Sequence, residues 1–414
     1  MSIYYAILYI TPFLILYSYR SVHIATANLS PGWKWSLRII YLMLTILVYA
    51  STTYLAIHRD KYEGIEWIRN YTIIGAITLS VTILSICFFQ LIGDITLLIR
   101  LLKHRNTSSL SGEKITRWSF MSKLALGMGG VMLGSFLWGT IKGIYGWRIL
   151  KNKLSFSNLP KSFDGVKIVQ ISDLHLGSFR KKFGPMEEAV QMINDLEPDY
   201  IFFTGDLVNE SHEEAVPWID IFKKLKAKRG KYSVLGNHDY RWGRSTQEQE
   251  FKNRDSVKDV LKKMDLNPLL NEHVILEKDG EKIGLVGVEN WGQGGKDGRS
   301  WFPQYGDYKK ATRNMEDVPF KILLSHDPTH FEAYIESKET VDLTLSGHTH
   351  GGQMGITIPG LLELSVAKML YERYAGLYMS GKQALYINRG MGFLIFPGRV
   401  GMPPEITLHE LNRS

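Results

Sequence analysis

The chain has 414 residues, a formal net charge of +8, a pI near 9.2 and a single cysteine, Cys87. That length holds two or three domains, and one cysteine excludes an intrachain disulfide and a thiolate metal site. The basic residues are scattered or lie beside apolar runs, so no nucleic-acid partner is expected.

A mean hydropathy of −0.09 conceals a split between an apolar N-terminal third and a soluble-looking remainder. Residues 1–145 contain four apolar segments, 3–19, 37–57, 71–93 and 121–141, each about long enough to cross a ~30 Å hydrocarbon core as a helix. The first ends at Arg20 without a small-residue cleavage site, which makes it an anchor and not a removed leader. In the fourth, Gly130 and Gly134, then Gly139 and Gly143, recur four apart and suit close helix packing. Asp94, near the end of the third, is either a functional intramembrane carboxylate or an interfacial residue, with Arg100 and Lys103 just beyond.

Four spans return the chain to the side of its N-terminus. The first and third loops are the more basic, through Arg20, Lys34, Arg38, Arg100, Lys103, Arg105, Lys114, Arg117 and Lys123. The positive-inside rule makes that side cytoplasmic and places the C-terminal domain outside. ITRWSFMSKLALGMGG, residues 115–130, agrees: it is similar to a degraded twin-arginine export signal, with Trp118 in place of the second arginine.

Residues 146–160 read as a linker, and 161–414 as one domain. VKIVQISDLH, DYIFFTGD and KYSVLGNHDY predict strands, with helices over PMEEAVQMINDLEP and EEAVPWIDIFKKLKAKRG between them. This alternation predicts α/β units around a mixed sheet. KIGLVGVEN, FKILLSHDP, VDLTLSGHTH, ALYINRG and EITLHEL predict further strands.

Five of the apolar runs end in residues able to bind a metal: Asp173 with His175, Asp206, Asn237 with His238, His326, and His348 with His350. Ligand sites of open α/β sheets form beyond the carboxyl ends of strands, so five strand ends would deliver these groups to one place. Glycines around His348 and His350 let the backbone turn toward it. Oxygen and nitrogen donors without thiolate suit Mn²⁺, Fe or Zn²⁺, and their number suits two ions sharing a carboxylate. Two ions roughly 3.5–4 Å apart clamp a phosphoryl group and acidify a water lying between them.

SDLHLG, TGDLV, LGNHDY, LLSHDP and SGHTHGGQ resemble, in order, the five signature blocks of the calcineurin-like metallophosphoesterases. The resemblance covers about 160–414 and is strongest to a bacterial branch of small membrane-associated phosphoesterases, which HGGQ and RGMGFLIFPGRVGMPPEITL also resemble. It implies an αββα sandwich of mixed sheets. It further implies that Asp173, His175 and His350 hold one metal, that Asp206 bridges, and that Asn237, His326 and His348 complete the second. His238 would be the acid, with hydroxide between the ions attacking phosphorus in line.

Asn209 stands where many relatives carry an aspartate that orients this histidine, and GDLVNESHEE lacks the arginine of relatives that act on phosphoproteins. Arg389 and Arg399 are candidates for pairing with substrate phosphate, or for structural salt bridges. Residues 291–307 form a glycine-rich loop expected near the site. Residues 361–379 are a core helix or a lid that touches the bilayer. The expectation is a multi-pass protein of a bacterial inner membrane. Its extracytoplasmic domain would use two divalent ions, Mn²⁺ favoured, to cleave a phosphodiester or pyrophosphate bond in a lipid-linked substrate. The alternatives are a phosphodiesterase for soluble phosphoesters and a non-catalytic receptor or scaffold.

Overall fold

Long apolar runs make most of the described residues before Lys142 helical. In a computed structural model describing residues 3–57, 66–103, 111–241, 245–292, 302–358 and 362–414, two compact units meet in sequence at Ile141 and Lys142. The first unit comprises α1 (Ile3–Ala25), α2 (Pro31–Ile57), α3 (Glu66–Lys103) and α4 (Ser111–Ile141). Pro31 opens α2, where the missing N–H of a first-turn proline costs nothing. Among the described residues, three stretches are long and apolar enough to cross a membrane: Pro31–Ala50, Ile74–Ile99 and Trp118–Ile141.

Where α3 and α4 approach, the close contact falls on Gly129 and not on Gly130 or Gly134 of the first expected pair. A Cβ on Gly129 would lie 2.6 Å from Ile86 Cγ1, whereas Gly130 and Gly134 meet nothing within 4 Å. Asp94 is paired inside this unit, 2.9 Å from Arg20 Nη1 and accepting from Tyr17 Oη at 2.8 Å.

The second unit starts with a strand where a linker was expected. β1 (Arg148–Phe156) pairs in parallel with the last strand, β14 (Glu405–Arg413), over nine residues. Its outer positions are exposed and charged, which is how an edge strand reads when one face meets water. Between them lie β2 (Val166–Ile171), β3 (Tyr200–Phe203), β4 (Gly230–Ser233), β5 (Asn267–Pro268), β6 (Glu272–Lys278), β7 (Glu281–Gly287), β8 (Lys321–Leu324), β9 (Leu343–Ser346), β10 (Gly355–Ile358), β11 (Leu362–Ser365), β12 (Gly376–Ser380) and β13 (Gln383–Ile387). The helices are α5 (Phe183–Asn194), α6 (Ile219–Phe222), α7 (Gln247–Lys263), α8 (Tyr308–Ala311), α9 (Glu336–Lys338) and α10 (Val366–Leu370). The long helix expected over 213–230 is reduced to α6 after two 3₁₀ turns, because Pro217 cannot donate within a continuing helix.

Two six-stranded mixed sheets result, ordered β1-β14-β2-β3-β4-β5 and β12-β13-β9-β8-β7-β6, with β10 and β11 forming a separate hairpin. Period-two alternation decides which layer each side chain joins. In β3, Tyr200 and Phe202 enter the core between the sheets, where they meet Ile322, Leu324, Leu343 and Leu345. Ile201 and Phe203 face the other way, against residues of α5, α6 and α7 such as Ile193, Phe222 and Leu261. On the second sheet, Leu323 and Val286 pack outward with Tyr308, Phe331 and Ile335. The architecture is therefore an αββα sandwich, and the parallel strands β2, β3, β4, β8 and β9 all end toward one rim.

Candidate metal centre

The residues that follow those strand ends adopt backbone conformations that ordinary sequences avoid. Asp173, His175, Asp206, His348 and His350 all have φ between 44° and 73°. A left-handed non-glycine residue costs on the order of 1–2 kcal/mol, and such strain gathers at sites the surrounding fold holds in place. Gly347 is required here: a Cβ on it would collide with Ser172 Oγ and Asp173 Oδ2.

Two clusters result. Asp173, His175 and His350 offer ligand atoms within 4.8 Å of one another, and so do Asp206, His326 and His348. Asp206 Oδ2 stands between them, 3.5 Å from His175 Nε2 and 3.2 Å from His326 Nε2. His175 Nε2 is 3.1 Å from His350 Nε2, and His348 Nδ1 is 3.3 Å from His326 Nε2.

The donor set fits cations. His326 donates Nδ1–H to the Thr204 carbonyl at 2.7 Å, and His175 donates Nδ1–H to Asn209 Oδ1 at 3.1 Å. In neutral His175 Nε2 then carries a lone pair that faces the Asp206 carboxylate, and His326 Nε2 meets the same carboxylate with room for a proton or a cation between them. Asn237 Oδ1 is buried without a hydrogen-bond partner, which an internal amide oxygen rarely is. Lone pairs converging on a carboxylate repel one another unless positive charge lies among them.

Burial pushes His175 down to about 3 and His348 down to about 4, and lowers His350, which keeps their lone pairs unprotonated. Burial opposes protonation of His326 too, but the adjacent Asp206 outweighs it and raises that imidazole to about 10. Burial raises Asp173 to about 6. For Asp206 burial acts in the same direction, but the charges of His326 and His238 win and hold it well below the usual range.

Comparison with known proteins agrees with this chemistry. A family model described as calcineurin-like phosphoesterase matches residues 166–352. The metallophosphoesterase YkuE of Bacillus subtilis is 30% identical over 318 residues, 73% of this chain and 99% of that protein. The chain belongs to the calcineurin-like metallophosphoesterases. A second model, "Probable Calcineurin-like phosphoesterase, transmembrane domain", matches residues 1–144, so the phosphoesterase domain is carried by a membrane protein. A Danio rerio transmembrane protein with a metallophosphoesterase domain is 26% identical over 89% of this chain and 79% of its own. A Helicobacter pylori metallophosphoesterase is 30% identical over 73% of this chain and 75% of its own.

Three other candidate residues of this metallophosphoesterase are tied to neighbours within the domain. Asn209 meets His238 through its backbone, the carbonyl accepting from His238 Nδ1 at 2.6 Å, while its side chain serves His175. Arg399 is buried and donates to the carbonyls of His350, Arg389, Gly390 and Gly392, with His350 Nδ1 also 3.2 Å away. Arg389 is drawn 2.6 Å from the buried Glu405 carboxylate. Both guanidiniums thus have partners inside the domain, the structural one of the two alternatives the sequence left open.

Sequence reasoning passed over Asp239, in the LGNHDY block. Its buried carboxylate accepts from the backbone N–H of Asp206, Leu207 and Gly236 at 2.9–3.0 Å, tying the second and third blocks together. Tyr371 Oη, 3.0 Å from His348 Nε2, was equally unmarked. Of the glycine-rich loop, residues 293–301 lie outside the described residues. Its two ends reach inward: Trp291 stacks on His330, and the ring of Phe302 meets His348 edge-on at 5.1 Å.

Proposed function

We propose that the domain is a two-metal phosphoesterase that cleaves a phosphodiester or pyrophosphate bond in a lipid-linked substrate, on the extracytoplasmic side of a bacterial inner membrane. The observation that carries the reading is Asp206 Oδ2, standing between two clusters whose imidazole Nε2 atoms, of His175 and His326, it faces. Asp173, His175 and His350 would hold one ion and Asn237, His326 and His348 the other, with Asp206 placed to serve both. Mn²⁺ is favoured, and Fe or Zn²⁺ suit the same donors. When bound, such a pair supplies positive charge to the phosphoryl oxygens and acidifies the attacking water.

The chain's own part is orientation and proton delivery. In hydrolysis a P–O bond forms to water and the P–O bond to the leaving group breaks. As the imidazolium, His238 hands the leaving oxygen its Nε2 proton and keeps the Nδ1–H that it donates to the Asn209 carbonyl. Burial of Asp173, His175 and His326 keeps bulk water from competing for the same groups. Membrane attachment and the absence of a phosphoprotein-type arginine after the Gly205-Asp206 block support a lipid-borne substrate. The more basic first and third loops support the outward side.

The test uses the full chain in lipid nanodiscs with bis(p-nitrophenyl) phosphate, Mn²⁺ or chelator, and an Asp206→Ala control. Metal-dependent release that the control lacks is expected. A folded chain that holds no paired ions and cleaves nothing sinks the enzyme reading in favour of a scaffold. Faster turnover of soluble diesters than of a lipid phosphodiester in the same disc sinks the lipid part alone.

A further inference from the structure

The segment that follows the His348–Gln353 loop wears apolar side chains on its outside. Ile356 of β10 and Leu364 of β11 are direct cross-strand partners, 43% and 54% exposed, in a hairpin that joins neither large sheet. In α10 only Ala367 is buried, while Val366, Met369 and Leu370 are 46%, 78% and 51% exposed. The lid-or-core alternative for this stretch is thus resolved against a core helix. The next residue is Tyr371, whose hydroxyl touches His348. Exposed apolar surface therefore begins one residue from a group in contact with the metal centre.

A second loop adds to it. Ile395 is 67% exposed at a φ of 62°, a conformation that a β-branched residue adopts only under constraint. The constraint is Gln353, at the root of the hairpin. Its Oε1 accepts from Leu394 N at 2.6 Å and its Nε2 donates to the Phe396 carbonyl at 2.7 Å. The glutamine of the HGGQ block so pins a strained isoleucine beside the hairpin that starts from the same block. Exposed apolar side chains gathered around one glutamine in this way mark an interaction site. The chain itself names the partner, because its N-terminal helices confine the domain to a bilayer. Lys368, the single charge in α10, is exposed, and its long stem allows its ammonium to reach lipid phosphate while its neighbours lie in acyl chains.

We propose that the β10–β11 hairpin, α10 and the Ile395 loop form an apolar lip. The lip seats in the boundary between headgroups and acyl chains of the bilayer and delivers a lipid-borne phosphoester to the metal centre. Its catalytic consequence rests on the two-metal reading above, but its location does not. The test reads both in the full chain, one copy per nanodisc. A Cys87→Ser, Met369→Cys chain labelled with an environment-sensitive fluorophore is expected to emit blue-shifted and to be quenched by brominated acyl chains. Met369→Glu with Leu370→Glu is expected to lower turnover of a lipid phosphodiester about tenfold, the equivalent of about 1.4 kcal/mol, and to leave bis(p-nitrophenyl) phosphate turnover unchanged. Water-like emission overturns the proposal, as does a shift seen only with two copies per disc and insensitive to bromine. An equal loss on both substrates also overturns it, since that marks a structural role. If the unmutated chain cleaves neither substrate, the enzyme reading fails while the fluorophore still decides the lip.

Discussion

The carbonyl oxygen of Asn209 lies 2.6 Å from Nδ1 of His238. A backbone group thus orients the proposed acid, and substitution at 209 leaves that contact in place. What Asn209→Ala removes is the acceptor for His175 Nδ1 at 3.1 Å. Loss of such a partner behind a ligand typically costs about 10–100-fold in metal affinity. The expected result is a rightward shift of that size in the Mn²⁺ titration, with kcat at saturating metal reduced far less than in His238→Ala. Equal kcat losses in the two variants would show that the side chain, not the carbonyl, matters to His238.

Asp206 serves both clusters, so its removal is felt twice. Asp206→Asn keeps the shape and removes the charge that faces His175 and His326. Metal analysis of the full chain is expected to fall from about two ions per chain to one or none. Retention of both ions would place the shared ligand elsewhere.

Asp239 is a structural counterpart. Its carboxylate accepts from four buried N–H groups, of Asp206, Leu207, Val208 and Gly236. Asp239→Ala leaves them unpaired at roughly 1–3 kcal/mol each, so a loss of about 3 kcal/mol or more is expected. Denaturant unfolding of the metal-free protein measures it, and a change below about 1 kcal/mol contradicts the role.

Acid should destabilise the domain through imidazoles outside the two ligand clusters. Burial pushes His409 down to about 3, with its Nε2 3.1 Å from Gln170 Oε1, and burial lowers His330 to about 3 as well. Unfolded, each titrates near 6.5, so between about 6.5 and 3 the unfolded chain binds protons that the native one does not. The stability is fully present above 6.5 and declines as pH falls, by up to about 1.4 kcal/mol per pH unit for each histidine. His409→Gln is expected to flatten the decline measured between about pH 7 and pH 5. An unchanged slope would mean that His409 takes up a proton in the folded state.

Much of this was legible before any coordinates, because each block joins an apolar run to a polar end. Such a pattern announces both a buried strand and the residue it presents. The same logic failed where partners are remote. KNKLSF reads as a linker because its charges are visible, while the strand that satisfies its backbone, β14, comes about 250 residues later. Arg399 carries no local sign that four carbonyls would claim it. Asp239 lay inside a recognised block, but its work is done through backbone amides, which a sequence does not display. Gly129, Gly130 and Gly134 are alike in sequence, and only the Ile86 side chain distinguishes the first of them.

The order of the first sheet places β14 between β1 and β2. A ribosome therefore delivers β1 early, and its ladder partner only after every other described strand. Until residues 405–413 emerge, β1 has no ladder, and the outer edge of β2 stands open through synthesis of the other eleven strands. Closure over so long a chain separation is slow, and open edges invite wrong pairing meanwhile. Loss of residues 405–413 would thus do more than shorten the chain. It would leave a chain whose helices are complete and whose catalytic sheet was never sewn shut.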